Sequence, residues 1–200
     1  MDKKMFCFQC EQTVGCTGCT GNAGVCGKKA DTAKLQDELT GALISLAKAA
    51  DGTETISKRT GQIIIEGLFT TVTNVSFDNA AIENMIQKVR AEKERLVPNC
   101  RTEEYDLQQL WNANEDIRSL KSLILFGIRG MAAYAYHANV LNYEDAEVNR
   151  FFCEALSKIG YEESTEALLS TVLKTGEINL KCMALLDKAN TETYGTPEPT

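Results

Sequence analysis

The sequence predicts an all-α protein in which a cysteine-rich loop precedes two three-helix bundles. Five cysteines and five glycines fall within residues 1–30, where apolar residues show almost no periodicity. From residue 31 onward, apolar residues recur at the three- and four-residue spacing that places them on one face of a helix. The hydrophobic share of 44% is sufficient for a real core in a chain of 200 residues.

The predicted elements follow one another without repeats. In chain order they are the cysteine-rich loop at 1–30, a first three-helix bundle at 31–98, a connection at 99–114, a second three-helix bundle at 115–190 and a linker tail at 191–200. The individual helices are expected at about 31–50, 54–75, 78–98, 114–142, 144–159 and 165–189. Asp31, Asp78 and Asn114 are predicted N-caps, because their side chains can accept hydrogen bonds from the first turn of a helix.

The thiols of the loop are the candidates for holding it together. Cys7, Cys10, Cys16, Cys19 and Cys26 are separated by glycines, which let the main chain approach a bound group closely. Thiols stay reduced in the cytoplasm, so clustered cysteines favour a metal over disulfides. The compact spacing favours an iron–sulfur cluster. A C-x2-C pair also suits zinc, which stays the alternative.

Charge and hydropathy restrict the partners and the location. The net charge of −7 argues against nucleic acid as a partner. No apolar run has the length of a membrane span, and the first residues contain no signal-peptide core, so a cytoplasmic protein is expected. Residues 1–30 carry four lysines against two acids. These lysines either offset the negative charge of a thiolate-bound cluster or simply keep a surface loop soluble.

The remaining chemically reactive residues are interpreted as structural. Cys100, Cys153 and Cys182 are isolated, and a lone cysteine is usually a small buried side chain. His137 is the only histidine and has no cysteine or carboxylate motif beside it. No phosphate-binding glycine loop, zinc-protease helix or nucleophile elbow occurs, so no catalytic residue is predicted.

Five segments are distinctive in combination: MFCFQCEQT, TGCT, GVCGK, LQDEL and SLILFGIRGMAAYAYHA. Together they resemble the N-terminal domain of the hybrid cluster proteins, also called prismane proteins or hydroxylamine reductases. The resemblance implies a C-x2-C-x8-C-x6-C set of cluster ligands at Cys7, Cys10, Cys19 and Cys26, with Cys16 as an alternative third ligand. Family members with similar gaps hold a 4Fe–4S cubane, whereas those with a longer middle gap hold 2Fe–2S. A 4Fe–4S cluster is therefore expected here.

The same resemblance implies a function. The chain would be the electron-transfer domain of a hydroxylamine reductase, receiving electrons from a redox donor protein. The family's catalytic hybrid Fe–S–O cluster has His, Glu and Cys ligands that match nothing in residues 1–200, so it would lie in the remaining domains of the parent protein. The isolated chain is then expected to be inactive. The alternative is a non-catalytic helical interaction domain with a structural zinc site. The sequence leaves the oligomeric state open.

Overall fold

The computed structural model describes residues 5–10, 17–73, 75–99 and 103–198. Over these residues the chain forms seven α-helices and one isolated antiparallel bridge, with no longer strand. The helices are α1 (Ala30–Asp51), α2 (Lys58–Thr70), α3 (Asn79–Leu96), α4 (Leu107–Trp111), α5 (Glu115–Val140), α6 (Ala146–Gly160) and α7 (Thr165–Tyr194). The predicted all-α fold class is confirmed.

Polar side chains begin six of these seven described helices by accepting a hydrogen bond from a backbone N–H of the first turn. They are Ser57, Asp78, Asp106, Asn114, Asp145 and Ser164. The predictions for Asp78 and Asn114 are confirmed. The prediction for Asp31 is wrong, because α1 begins at Ala30. Asp31 lies in the first turn, where its carboxylate accepts from the Thr32 N–H and from Asn79.

One hydrophobic core contains side chains from all seven helices. α1 packs against α3 and α6, α2 lies against α5 and α6, and α5 packs along α7. The large side chains that are fully buried include Leu39, Leu43, Ile64, Ile82, Leu110, Ile124 and Phe152. Because the two predicted helix triplets share this core, their division into separate bundles and the proposed domain boundaries stay predictions.

Several element boundaries differ from the sequence-based expectation, and α2, expected at 54–75, ends already at Thr70. α2 starts only at Lys58, since the Ser57 side chain accepts from the Thr60 N–H and fixes the first turn there. The expected connection at 99–114 contains the short helix α4, whose Leu107 is buried. α7 continues into the expected tail and ends before Gly195, which has a φ of +88°.

The segment before α4 is held directly on α1. The Tyr105 N–H donates to the Ser45 hydroxyl at 3.1 Å. A Cβ at Gly41 would lie 2.1 Å from the Tyr105 carbonyl oxygen, so only glycine permits this approach. The contact places Trp111, at the end of α4, beside the cysteine-rich loop. None of the described helices combines the length and apolar composition needed to cross a bilayer.

Candidate metal centre

The loop is closed on itself by a backbone bridge between two of its cysteines. The Cys7 N–H donates to the Cys19 carbonyl at 3.1 Å, and the Cys19 N–H donates to the Cys7 carbonyl at 2.8 Å. Gly18, just before Cys19, has a φ of +63°, which glycine adopts without strain. The bridge therefore fixes two thiol-bearing residues side by side although they are separated by eleven residues in the sequence.

A glycine turn brings in the fourth cysteine. The Gly24 N–H donates to the Lys28 carbonyl and the Gly27 N–H donates to the Gly24 carbonyl, each at 2.8 Å. Gly27 has a φ of +86°. The Sγ atom of Cys26 lies 3.4 Å from the point that a Cβ on Gly24 would occupy. The turn thus folds Cys26 back over Gly24, toward the bridge.

The four predicted ligands line one cavity of about 300 Å³. Cys7 is buried, whereas Cys10, Cys19 and Cys26 are partly exposed at the rim. The rest of the wall is formed by Met5, Gln9, Gly24, Val25, Lys28 and Thr73. Cys16 and Cys100 lie outside the described residues. The tertiary structure therefore brings together the four cysteines that the family resemblance implies as ligands.

The cysteines surround a space and do not converge on a point. Within the described part of the chain, no three His, Cys, Asp or Glu side chains are arranged to hold a single metal ion. The donor set of the cavity wall consists of thiols, which as thiolates are the ligands of iron–sulfur clusters and of many zinc sites. In chemical type the wall fits a thiolate-bound metal group.

Aromatic and aliphatic side chains fasten this loop to the helices. The ring of Phe8 lies 4.7 Å from that of Trp111, and the ring of Phe6 lies 5.2 Å from it, measured between centroids. Phe8 is 3% exposed and belongs to the main core. Met5 is also buried and clusters with Ala33 of α1. Contrary to the expectation from its lack of periodicity, the loop is partly organised by apolar contacts.

A buried polar network lies behind the cavity. The Nζ atom of Lys28 lies 3.8 Å from the Cys7 Sγ and 3.4 Å from the Gln9 Oε1. The amide nitrogen of Gln9 donates to the Asp37 carboxylate at 2.5 Å. Burial raises the pKa of the Cys7 thiol, and the positive charge of Lys28 opposes that shift. Burial also raises the pKa of Asp37 to about 6, against the Gln9 hydrogen bond and the charge of Arg129.

Sequence reasoning missed most of this network. Lys28 is buried, so its interpretation as a surface charge that keeps the loop soluble is wrong. Its neighbour Lys29 is exposed. Gln9 and Asp37 lie in the distinctive segments MFCFQCEQT and LQDEL, but neither was assigned a role. Nothing local distinguishes them, because their partners are distant in the sequence. Only the position of Gln9 between two cysteines could have drawn notice.

The other candidates lie away from the cavity. Cys153 and Cys182 are buried on α6 and α7, and their thiols donate to backbone carbonyls at 3.3 Å. Burial raises the pKa of Cys153 to about 12 and that of Cys182 to about 11, so both stay protonated. His137 is exposed and lies edge-on to the ring of Phe69. None of the three lines the cavity.

Comparison with known proteins shows the family of this chain. The sequence matches the Prismane/CO dehydrogenase family over residues 5–200. The chain belongs to this family. It is 42% identical to the hydroxylamine reductase of Thermodesulfovibrio yellowstonii and 42% identical to that of Chlorobaculum tepidum, in each case over 98% of this chain. The hydroxylamine reductase of Porphyromonas gingivalis is 40% identical over the whole chain.

The match covers only part of each relative. The chain spans 41% of the Thermodesulfovibrio protein, 40% of the Chlorobaculum protein and 41% of the Porphyromonas protein. The curated relatives are therefore about two and a half times as long as this chain. The family is established by this overlap.

Proposed function

We propose that the cavity holds an iron–sulfur cluster, 4Fe–4S rather than 2Fe–2S, with Cys7, Cys10, Cys19 and Cys26 as its ligands. The observation that carries this proposal is that these four cysteines line one cavity of about 300 Å³. A tetrahedral zinc ion draws its sulfurs to about 2.3 Å from one point, whereas a cluster spreads its ligands around several irons. When bound, such a cluster accepts and releases single electrons.

The chain's own residues supply the surroundings that such a group needs. The backbone bridge between Cys7 and Cys19 holds two of the proposed ligands side by side. The packing of Phe8 against Trp111 fastens the residue next to Cys7 to α4. Val25 lines the cavity and is 76% exposed, so this part of the wall is accessible to a partner.

We further propose that the chain is the electron-transfer domain of a hydroxylamine reductase. Support comes from the relatives, which carry that name and extend well beyond the matched region. The catalytic hybrid Fe–S–O cluster then belongs to the remaining domains of the parent protein. A redox donor protein would approach at the exposed rim near Val25. We also propose a cytoplasmic location, because clustered cysteines that bind a metal are typical of compartments where thiols stay reduced.

The test is metal analysis of the 200-residue chain purified without oxygen. We expect about four irons and about four acid-labile sulfides per chain, the content of one 4Fe–4S cluster, together with a brown colour. Serine substitution of Cys7, Cys10, Cys19 or Cys26 should each remove most of the iron, because a serine oxygen is a poor cluster ligand. Cys182→Ala is the matched control, since its thiol bonds only to the backbone of α5.

Two outcomes would contradict the proposal. Stoichiometric zinc without sulfide, in a colourless protein, would establish the structural zinc site instead. Full iron retention in Cys19→Ser together with loss in Cys16→Ser would make Cys16 the third ligand.

A further inference from the structure

Lys28 places its ammonium group against one of the predicted ligands. The residue is only 2% exposed, and its ammonium contacts the Cys7 Sγ at 3.8 Å and the Gln9 Oε1 at 3.4 Å. It forms none of the salt bridges found in the described part of the chain. A buried ammonium is costly unless negative charge lies close by. The thiolates of the cavity can supply that charge.

Gln9 and Asp37 hold this ammonium in place. The Gln9 oxygen faces Lys28, which can only donate, and the Gln9 nitrogen faces the Asp37 carboxylate, which can only accept when ionised. The amide of Gln9 is therefore fixed from both ends, and it is 5% exposed. This arrangement keeps Lys28 on the Cys7 side of the cavity and prevents it from reaching solvent.

A second cation lies behind the same wall. Arg129 of α5 is 4% exposed and donates to the hydroxyls of Thr71 and Thr40, each at 3.0 Å. Its charge acts on both Cys7 and Asp37. Among the described residues, these two buried cations thus lie near one half-buried carboxylate, and the three charges sum to a net positive charge.

We propose that Lys28 is a positioning residue that holds its positive charge against Cys7 and so raises the reduction potential of the cluster. The inference rests on the proposed function. Reduction adds one electron to the cluster, and a nearby positive charge stabilises the more negative state. The negative charge of Asp37 should lower the reduction potential. The side-chain amide of Gln9 lies between Asp37 and Lys28 and bonds to both.

The experiment is a potentiometric titration of the 200-residue chain at pH 8, where Asp37 is ionised. Dithionite supplies the electron through mediator dyes, and visible absorbance reports cluster reduction. Lys28→Met should lower the equilibrium constant for reduction about tenfold, which is ~59 mV for a one-electron couple. The matched control is Lys29→Met, which makes the same change of charge at an exposed position and should shift the potential far less. Lys28→Arg should restore most of the wild-type value.

Asp37→Asn is the decisive second variant, because it should raise the potential. If the network had only a structural role, Lys28→Met and Asp37→Asn would not shift the reduction potential in opposite directions. Equal potentials in Lys28→Met and Lys29→Met would overturn the inference. If Lys28→Met does not bind iron, an unchanged or lowered potential in Asp37→Asn overturns it. Absence of any cluster in the wild-type chain would instead refute the proposed function.

Discussion

A Cβ atom on Gly18 would lie 2.6 Å from the carbonyl oxygen of Cys7. That oxygen already accepts the Cys19 N–H at 2.8 Å, so it cannot move away without breaking the bridge between the two cysteines. Gly18 also has a φ of +63°, in the left-handed region. Two independent constraints therefore require glycine at the position before Cys19.

Gly18→Ala should reduce the iron content of the chain strongly while leaving the helical core intact. The left-handed backbone costs alanine about 1–2 kcal/mol, and the contact with Cys7 adds to this cost. Gly27→Ala is the matched control, because Gly27 has a φ of +86° with nothing within 4 Å of its Cβ position. Gly21→Ala, with neither constraint, should behave as wild type. Iron per chain should be lowest in Gly18→Ala, intermediate in Gly27→Ala and at the wild-type level in Gly21→Ala. Equal iron in Gly18→Ala and Gly27→Ala would contradict the role of the contact.

Removal of iron should leave most of the helical structure in place. The main core is built from the seven helices, and Phe8 is the only residue of the described loop that is buried in it. Far-ultraviolet circular dichroism after anaerobic chelation should therefore change little. Fluorescence of Trp111, the only tryptophan, should change if the loop moves away from it. Near-complete loss of helicity would mean that the metal organises the whole chain.

Glu92 of α3 links two helices through a fully buried carboxylate. It accepts hydrogen bonds from Arg95, from Arg59 and, at 2.7 Å, from the Thr60 hydroxyl. The Arg95 hydrogen bond is the main reason that the pKa of Glu92 falls from 4.5 to about 2. As the pH falls, the Glu92 carboxylate takes up a proton in the unfolded chain before it does so in the folded chain. Glu92 therefore stabilises the fold above about pH 4.5, and this stabilisation is lost as the pH falls toward 2.

Glu92→Gln should destabilise the fold by about 1–3 kcal/mol at pH 7, because a charged acceptor is lost from three donors. The difference from wild type should shrink steadily between pH 5 and pH 3. Urea unfolding of the metal-free chain, followed by circular dichroism, measures both effects. Glu83→Gln makes the same change at an exposed position of α3 and is the control. A pH-independent difference would show that packing, and not ionisation, is responsible.

The isolated 200-residue chain should be reducible by dithionite yet show no turnover of hydroxylamine. A cluster bound by four cysteines leaves no open iron site for a substrate. Ammonia formation should therefore not exceed that of a free iron–sulfur control. Sustained ammonia production from hydroxylamine by the purified chain would contradict this prediction.

The sequence by itself determined the features that depend on neighbouring residues. Helical periodicity predicted six helices, and Asp78 and Asn114 were recognised as caps because each bonds to a backbone N–H within three residues. The family resemblance of short sequence segments also pointed to the four cysteines that line the cavity. Such features involve few residues and short separations, so local chemistry is sufficient to predict them.

Only the tertiary structure decided which charges are buried and what fastens the loop. Lys28 and Lys29 are adjacent and chemically identical, yet one is buried beside Cys7 and the other is exposed. Gln9 meets Asp37 across 28 residues, and Phe8 meets Trp111 across about a hundred. Burial is a property of the packed chain, because it depends on which distant side chains exclude water from a site. The sequence therefore indicated which cysteines are candidate ligands, and only the tertiary structure revealed that Lys28, and not Lys29, lies beside Cys7.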